Sequence, residues 1–261
     1  MENDKIEYER INKFIATHGK IARRTVDEYI LQGRINVNGI TITEPGTKII
    51  PSKDKVYVDG ELIKTDNKKV YIILNKPEGV ISSVSDEKRR KTVVDMIKIK
   101  ERIFPIGRLD YNTTGLILLT NDGDFANKLM HPKFNVIKTY KVKLSRPLEE
   151  KHKIKLINGI NIDGSKTSKC QIIFPKRHDF SLVSITIHEG RNHQIKNMFE
   201  HFGYFVRDLH RSEYGGLTLK GLNPGEWRYL TAVEINLLKK INDNFPPLLV
   251  GEGMGVRLKF N

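Results

Sequence analysis

Residues 107–123 read GRLDYNTTGLILLTNDG: Arg108 and Asp110 in a polar loop, an apolar run from Gly115 to Thr120, and an Asn-Asp-Gly turn. Ile103, Phe104 and Ile106 lead into Gly107, and "GLILLT" has the length and content of a buried strand. The loop is therefore tied at both ends to apolar segments. Loops anchored on rigid elements are where reactive side chains can be held. That reading of Asp110 stands beside the ordinary one, a side chain bonding its own turn, which Asp122 and Asp124 fit.

Upstream, "VYIILNKPEGV" (70–80) is an apolar strand ending in a Lys-Pro-Glu-Gly turn. The loop "SSVSDEKRRKTVV" (82–94) follows, and its Lys88, Arg89, Arg90 and Lys91 either grip backbone phosphates or form a solvated charged run. Downstream, "IKTYKVKL" (137–144) alternates as a strand carrying Tyr140. Ile195, Met198, Phe199 and Phe202 mark the buried face of a helix, which by spacing alone leaves Lys196 facing solvent.

The first 63 residues read differently. In "ERINKFIATHG" (9–19), Ile11, Phe14 and Ile15 share a helical face and Gly19 supplies the stop. A second helix has capping-box spacing at Thr25 and Glu28, a face of Val26, Tyr29 and Ile30, and an end at Gly33. "RINVNGITI" (34–42) turns at Asn38-Gly39, a hairpin signal, and "KVYVDGELI" (55–63) adds a second alternating pair. The product is a helix-turn-helix pair buttressed by short strands. Lys20, Arg23, Arg24 and Arg34 gather at its turn and first hairpin, as a phosphate-facing cluster or as a solvated charged face. Residues 64–69, KTDNKK, are short, polar and charged, as a linker is.

The 261 residues suit one medium domain and one small one. With 38% hydrophobic and 29% charged residues the chain can bury an ordinary core, and no apolar stretch reaches the length of a membrane span. Its beginning, MENDKIEYER, lacks the apolar middle of an export signal, so a cytoplasmic location is expected. The single cysteine, Cys170, excludes an internal disulfide and a thiolate-cluster zinc site, and reads as a small core residue. The formal charge is +14. Residues 1–69 hold 13 basic and 11 acidic side chains, so +12 of the excess belongs to the remainder. Such a field attracts RNA or DNA, with an anionic membrane surface the weaker alternative. No HExxH or comparable histidine spacing and no GxxxxGK loop occurs, so neither a metal nor a nucleotide-driven motor is expected.

The pattern of residues 7–63 resembles the S-four-type RNA-binding domain, which implies binding to structured RNA. The blocks "FPIGRLDYNTTGLILLTNDGDFANKLMHP", "KTYKV" and "HEGRNHQIKNMFEHFGYFVRDLHR", in that order and spacing, resemble the pseudouridine synthases. The resemblance is to the bacterial ribosomal-RNA branch with an S-four-type domain in front, and it extends to about residue 240. It implies an α+β protein: an RNA-binding domain over 1–63, a linker over 64–69, and a catalytic domain over 70–243. The catalytic domain is expected to be a curved, mixed, mainly antiparallel sheet flanked by helices. Residues 244–261 are a tail without an assigned role.

The implied reaction converts uridine in ribosomal RNA to pseudouridine without cofactor or metal, in a monomer needing no membrane and no obligate protein partner. Position by position, Asp110 matches the family's essential aspartate and Tyr140 the aromatic that lies against the uracil. Lys196 matches the basic residue paired with the aspartate, where many relatives carry arginine. Leu209 matches an apolar pocket residue, and Arg108 a basic side chain that helps hold the stack the base has left. Arg191 and His193, beside Lys196, are expected phosphate contacts. A noncatalytic ribosome-assembly factor would not need Asp110, Tyr140 and Lys196 together. A nucleoside hydrolase should show a second acid near the first.

Overall fold

The computed structural model describes residues 7–65 and 68–241. The expected tail, 244–261, and part of the expected linker lie outside the described residues. The chain divides into two compact units. One takes the described residues up to Val70 with Ile99–Ile103 and Asn121–Gly123, and the other takes Tyr71–Lys98, Phe104–Thr120 and the residues from Asp124 on.

In the first unit, β1 (Glu9–Arg10) leads into α1 (Ile11–His18), followed by α2 (Arg23–Leu31). Strands β2 (Ile35–Val37), β3 (Ile40–Ile42), β4 (Lys48–Ile49), β5 (Val56–Val58) and β6 (Glu61–Leu62) follow. The sheet order is β3-β2-β5-β6, while β1 pairs with β4. Asn38-Gly39 and Asp59-Gly60 all have positive φ, the backbone that a two-residue hairpin turn of matching twist demands. Register pairs Ile35 with Val58 and Val37 with Val56. These four pack against Ile11, Phe14, Ile15, Val26 and Ile30 in one core. The capping box expected at Thr25 and Glu28 is absent. Helix α2 begins three residues earlier, its N-cap is Ala22 with no side-chain cap, and Val26 N–H donates to Ala22 O at 3.0 Å, so Thr25 already lies within the first turn.

The second unit contains β7 (Tyr71–Lys76), β8 (Phe104–Ile106), β9 (Thr114–Thr120), α3 (Gly123–Met130), β10 (Lys138–Leu144) and α4 (Glu150–Ile157). It continues with β11 (Asn161–Ile162), β12 (Ser165–Lys166), β13 (Gln171–Ile173), β14 (Leu182–Ile187) and α5 (Gln194–Glu200). The last elements are β15 (Val206–Tyr214), β16 (Leu217–Thr218), β17 (Trp227–Tyr229) and α6 (Ala232–Lys239). The sheet runs β13-β14-β10-β15-β9-β7-β17, with β16 on β15 and β8 on β9. This is the mixed, mainly antiparallel sheet that the family resemblance implied. Strand β9 is buried from Gly115 onward, as its apolar run requires.

One pair, β9 with β15, is parallel, and it joins His210 to Thr114 and Arg211 to Gly115. The approach is so close that a Cβ on residue 115 would lie 2.3 Å from Arg211 O and 2.7 Å from Arg211 N. With φ at +106° as well, only glycine fits. Helix α5 buries Ile195, Met198 and Phe199, whereas Phe202 falls beyond its end and stacks half-buried on His152, ring centres 4.6 Å apart. Cys170 is buried, its thiol pushed up to about 12 by desolvation. No helix among the described residues is long and apolar enough to cross a membrane.

Candidate active site

The Asp110 loop connects β8 to β9, and its backbone is pinned from below. Lys76, at the end of β7, is fully buried and donates to Pro77 O at 3.0 Å, Tyr111 O at 3.3 Å and Thr113 O at 2.8 Å. Gly79 N–H also donates to Tyr111 O, and Ser82 Oγ and Leu109 exchange two bonds, 2.8 and 3.1 Å. Burial pulls the Lys76 ammonium down to about 8, against the opposing charge of Asp110. A lysine so placed ties the loop at two carbonyls and joins it to the turn after β7 through a third.

At the tip, Asp110 Oδ2 accepts from Lys196 Nζ at 2.9 Å, and Oδ1 lies 3.5 Å from His193 Nε2. Lys196 sits in the first turn of α5, so the spacing argument that pointed it to solvent is corrected. Its stem follows the half-exposed edge of the helix, and its head reaches the carboxylate, with 27% of the side chain exposed. His193 is the α5 N-cap, with φ +49°. Asp110 shares a pocket with Arg108, Tyr140, Leu209, Arg191 and His193. Tyr140 and Leu209 are each 8% exposed, on the neighbouring strands β10 and β15. Cross-strand pairing of Tyr140 with Arg211 and Val142 with Leu209 puts the ring and the leucine on the same sheet face.

Sequence reasoning missed two buried cations. Lys76 is one. The other is Arg211, 2% exposed, which donates Nε–H to Leu116 O at 2.7 Å and lies 3.4 Å from Tyr140 Oη through Nη1, while Nη2 has no hydrogen-bond partner. Its guanidinium also lies over the Tyr214 ring at 5.1 Å. The signal in sequence was an arginine two residues after Leu209, at an inward position of an alternating strand.

Several cations read as open to phosphate are engaged within the protein. Arg34 forks onto Asp59 at 2.8 and 2.5 Å and stacks on Tyr29 at 3.6 Å. Arg90 forks onto Asp86 at 3.1 and 2.7 Å. Arg191 donates to Ser165 Oγ at 2.6 Å, to the Ser165 carbonyl at 3.1 Å and to the Lys166 carbonyl at 2.5 Å, which fastens the approach to α5 onto β12. In each case an acceptor within the protein has claimed the fork. Arg23, Arg24 and Arg89 are exposed, Arg89 at φ +54°, and Lys20 lies 3.4 Å from the Lys100 carbonyl. Among the described residues, no cluster of His, Cys, Asp or Glu could hold a metal ion.

A lone carboxylate beside an ammonium, facing an aromatic ring and a leucine, suits covalent attack or proton abstraction on a flat, partly apolar substrate. Residues 70–201 match the profile of the family described as RNA pseudouridylate synthase. The chain is 44% identical over 240 residues to the ribosomal large subunit pseudouridine synthase B of Bacillus subtilis (strain 168), covering 90% of this chain and 98% of that one. It is 39% identical over 237 residues to the dual-specificity RNA pseudouridine synthase RluF of Escherichia coli (strain K12), covering 90% and 80%. A solved pseudouridylate synthase structure superposes with a TM-score of 0.65 at 33% identity, covering 88% of this chain and 99% of that one. On profile, identity and fold together, the chain belongs to the RNA pseudouridine synthases, isomerases that modify RNA.

Proposed function

We propose that this enzyme converts a uridine of ribosomal RNA to pseudouridine, with Asp110 as the essential carboxylate. The observation that carries the reading is the contact of Lys196 Nζ with Asp110 Oδ2 at 2.9 Å, in a pocket shared with Tyr140 and Leu209. The bond from N1 of uracil to the sugar C1′ breaks, the ring turns, and C5 bonds to the same carbon. N1 takes up a proton and C5 gives one up, so nothing leaves and no external donor is consumed. Asp110 either attacks the sugar or base or removes a sugar proton, and both routes need one carboxylate at this position. Tyr140 supplies a face on which the detached ring can turn, and Leu209 keeps water from it. The ribosomal target is supported by a relative named for the ribosomal large subunit at 44% identity.

Residues 1–63 act in this reading as the RNA-binding domain, joined by 64–69 to a catalytic domain over 70–243. Arg23 and Arg24, exposed on α2, are its best phosphate contacts, with Lys20 beside them. The enzyme works in the cytoplasm as a monomer. The deciding experiment is site-by-site pseudouridine mapping of both ribosomal subunits in cells with the gene, without it, and with Asp110→Asn. One or a few uridines should lose modification in the last two. An unchanged map in the deletion, or a restored one with Asp110→Asn, overturns the reading.

A further inference from the structure

Tyr111 follows Asp110 directly, yet it does not line the pocket, and 45% of it is exposed. Its carbonyl is fixed by Lys76 and by Gly79 N–H, so the ring stands on an immobilised backbone. The Arg90 guanidinium lies over this ring at 5.9 Å from its centre. Asp86 holds Arg90 in turn through Nε and one terminal nitrogen, Nη2, and accepts from its backbone N–H at 3.1 Å. That grip raises the Arg90 pKa and holds Asp86 down at about 2. A cation so neutralised is poorly placed to pursue a phosphate.

A second arginine–tyrosine pair in the same protein sets the scale. The Arg34 guanidinium carbon lies 3.6 Å from the Tyr29 ring centre, a direct contact with no room for a ring between. The Arg90–Tyr111 pair is open by more than 2 Å beyond that. Two stacking contacts of about 3.5 Å each need about 7 Å, so a shift of the Arg90 side chain from its 5.9 Å position admits one planar ring between guanidinium and phenol. Both jaws suit a nucleobase: an aromatic face on one side and a delocalised cation on the other.

We propose that Tyr111 and Arg90 form a second nucleobase site, taking the base of a nucleotide adjacent to the target uridine. The inference rests on the reading that RNA reacts at Asp110. Extracting the target base from its stack leaves a neighbouring base with an uncovered face. One residue beyond the reacting carboxylate, the open clamp receives that face. The site holds the RNA in register by stacking and leaves the bond-making steps to the pocket.

The test compares wild type, Tyr111→Phe, Tyr111→Leu and Arg90→Met in single turnover on ribosomal RNA from cells lacking the gene, with enzyme varied in excess. Tyr111→Phe keeps the ring and should half-saturate within about twofold of wild type. Tyr111→Leu should need about tenfold more enzyme or beyond, with Arg90→Met intermediate and plateau rates little changed. A fragment carrying 2-aminopurine beside the mapped uridine should lose fluorescence on binding wild type, Tyr111→Phe and the inactive Asp110→Asn, but not Tyr111→Leu. Equal half-saturation for Tyr111→Leu and wild type, or equal defects in the Phe and Leu variants, overturns the second site and leaves the reaction standing. A wild type that makes no pseudouridine in this RNA overturns the functional reading and the inference together.

Discussion

Lys196 Nζ donates to Asp110 Oδ2 at 2.9 Å across 86 residues of chain, which makes the first turn of α5 a partner of the β8–β9 loop. Lys196→Met strands a half-buried carboxylate, and single-turnover rates at neutral pH should fall at least about a hundredfold, the scale of losing a charged hydrogen bond of about 3 kcal/mol. Lys196→Arg restores the charge with a planar head of different reach and should keep part of the rate. A Met variant that overlays wild type from pH 5 to 9 would return Lys196 to the solvent-facing role its spacing suggested.

The buried Lys76 predicts a pH dependence with a definite sign. Its folded pKa, about 8, lies below the ordinary 10.5. Between those values the unfolded chain holds a proton that the folded protein has released, so this group's contribution to stability rises with pH across that window and is least favourable below 8. Thermal melts of wild type relative to Lys76→Met should therefore diverge in favour of wild type from pH 8 to 10.5. A constant difference would show that the three carbonyls keep the ammonium protonated throughout. Activity should move the other way. Above pH 8 the neutral amine has one fewer hydrogen for the three carbonyls, and the turnover rate should fall as the Asp110 loop loosens.

Gly115 gives a test of the central junction. Gly115→Ala forces a methyl group into the Arg211 backbone at a positive φ and should cost about 3 kcal/mol or more by urea unfolding. Gly164 has φ +78° and nothing within 4 Å of an added Cβ, so Gly164→Ala should cost only about 1 kcal/mol. Similar losses for the two would deny the close approach of β9 and β15.

Arg211 carries a charge with no carboxylate among its hydrogen-bond partners, and one of its terminal nitrogens is unbonded. Replacing it by Met removes an expensive buried cation, so stability should stay within about 1 kcal/mol of wild type. The plateau rate should nonetheless fall about tenfold or more, because Tyr140 loses the group behind its hydroxyl. Arg211→Lys should not rescue, since one ammonium cannot span Leu116 O and Tyr140 Oη. A rate loss matched by an equal loss of stability would reduce Arg211 to packing.

What the sequence disclosed and concealed follows from where each signal resides. The Asp110 loop was legible because apolar runs bracket it within one stretch of chain. The hairpins at Asn38-Gly39 and Asp59-Gly60 were legible because the turn chemistry is local. Tyr140 and Leu209 look like ordinary strand residues, and only the family pattern singles them out. Lys76 and Arg211 escaped because their partners are mostly backbone carbonyls, which carry no side-chain signature, and because lysine and arginine normally mark surface. Arg34 and Arg191 were read as open since Asp59 and Ser165 reach them only in the fold.

The parallel contact of β9 with β15 also fixes when this protein becomes an enzyme. Thr114 and His210, bonded side chain to side chain at 2.9 Å, are 96 residues apart in the chain. At about 5–20 residues per second of synthesis, the strand bearing Leu209 and Arg211 emerges roughly 5–20 s after the loop bearing Asp110. During that interval the carboxylate exists without its α5 ammonium or the far wall of its pocket. Closing so long a loop is slow and entropically costly, so assembly of the site belongs to the last stage of folding. A nascent chain on its ribosome is surrounded by RNA, and on the reading proposed for Asp110 it should stay chemically silent toward that RNA until β15 has docked.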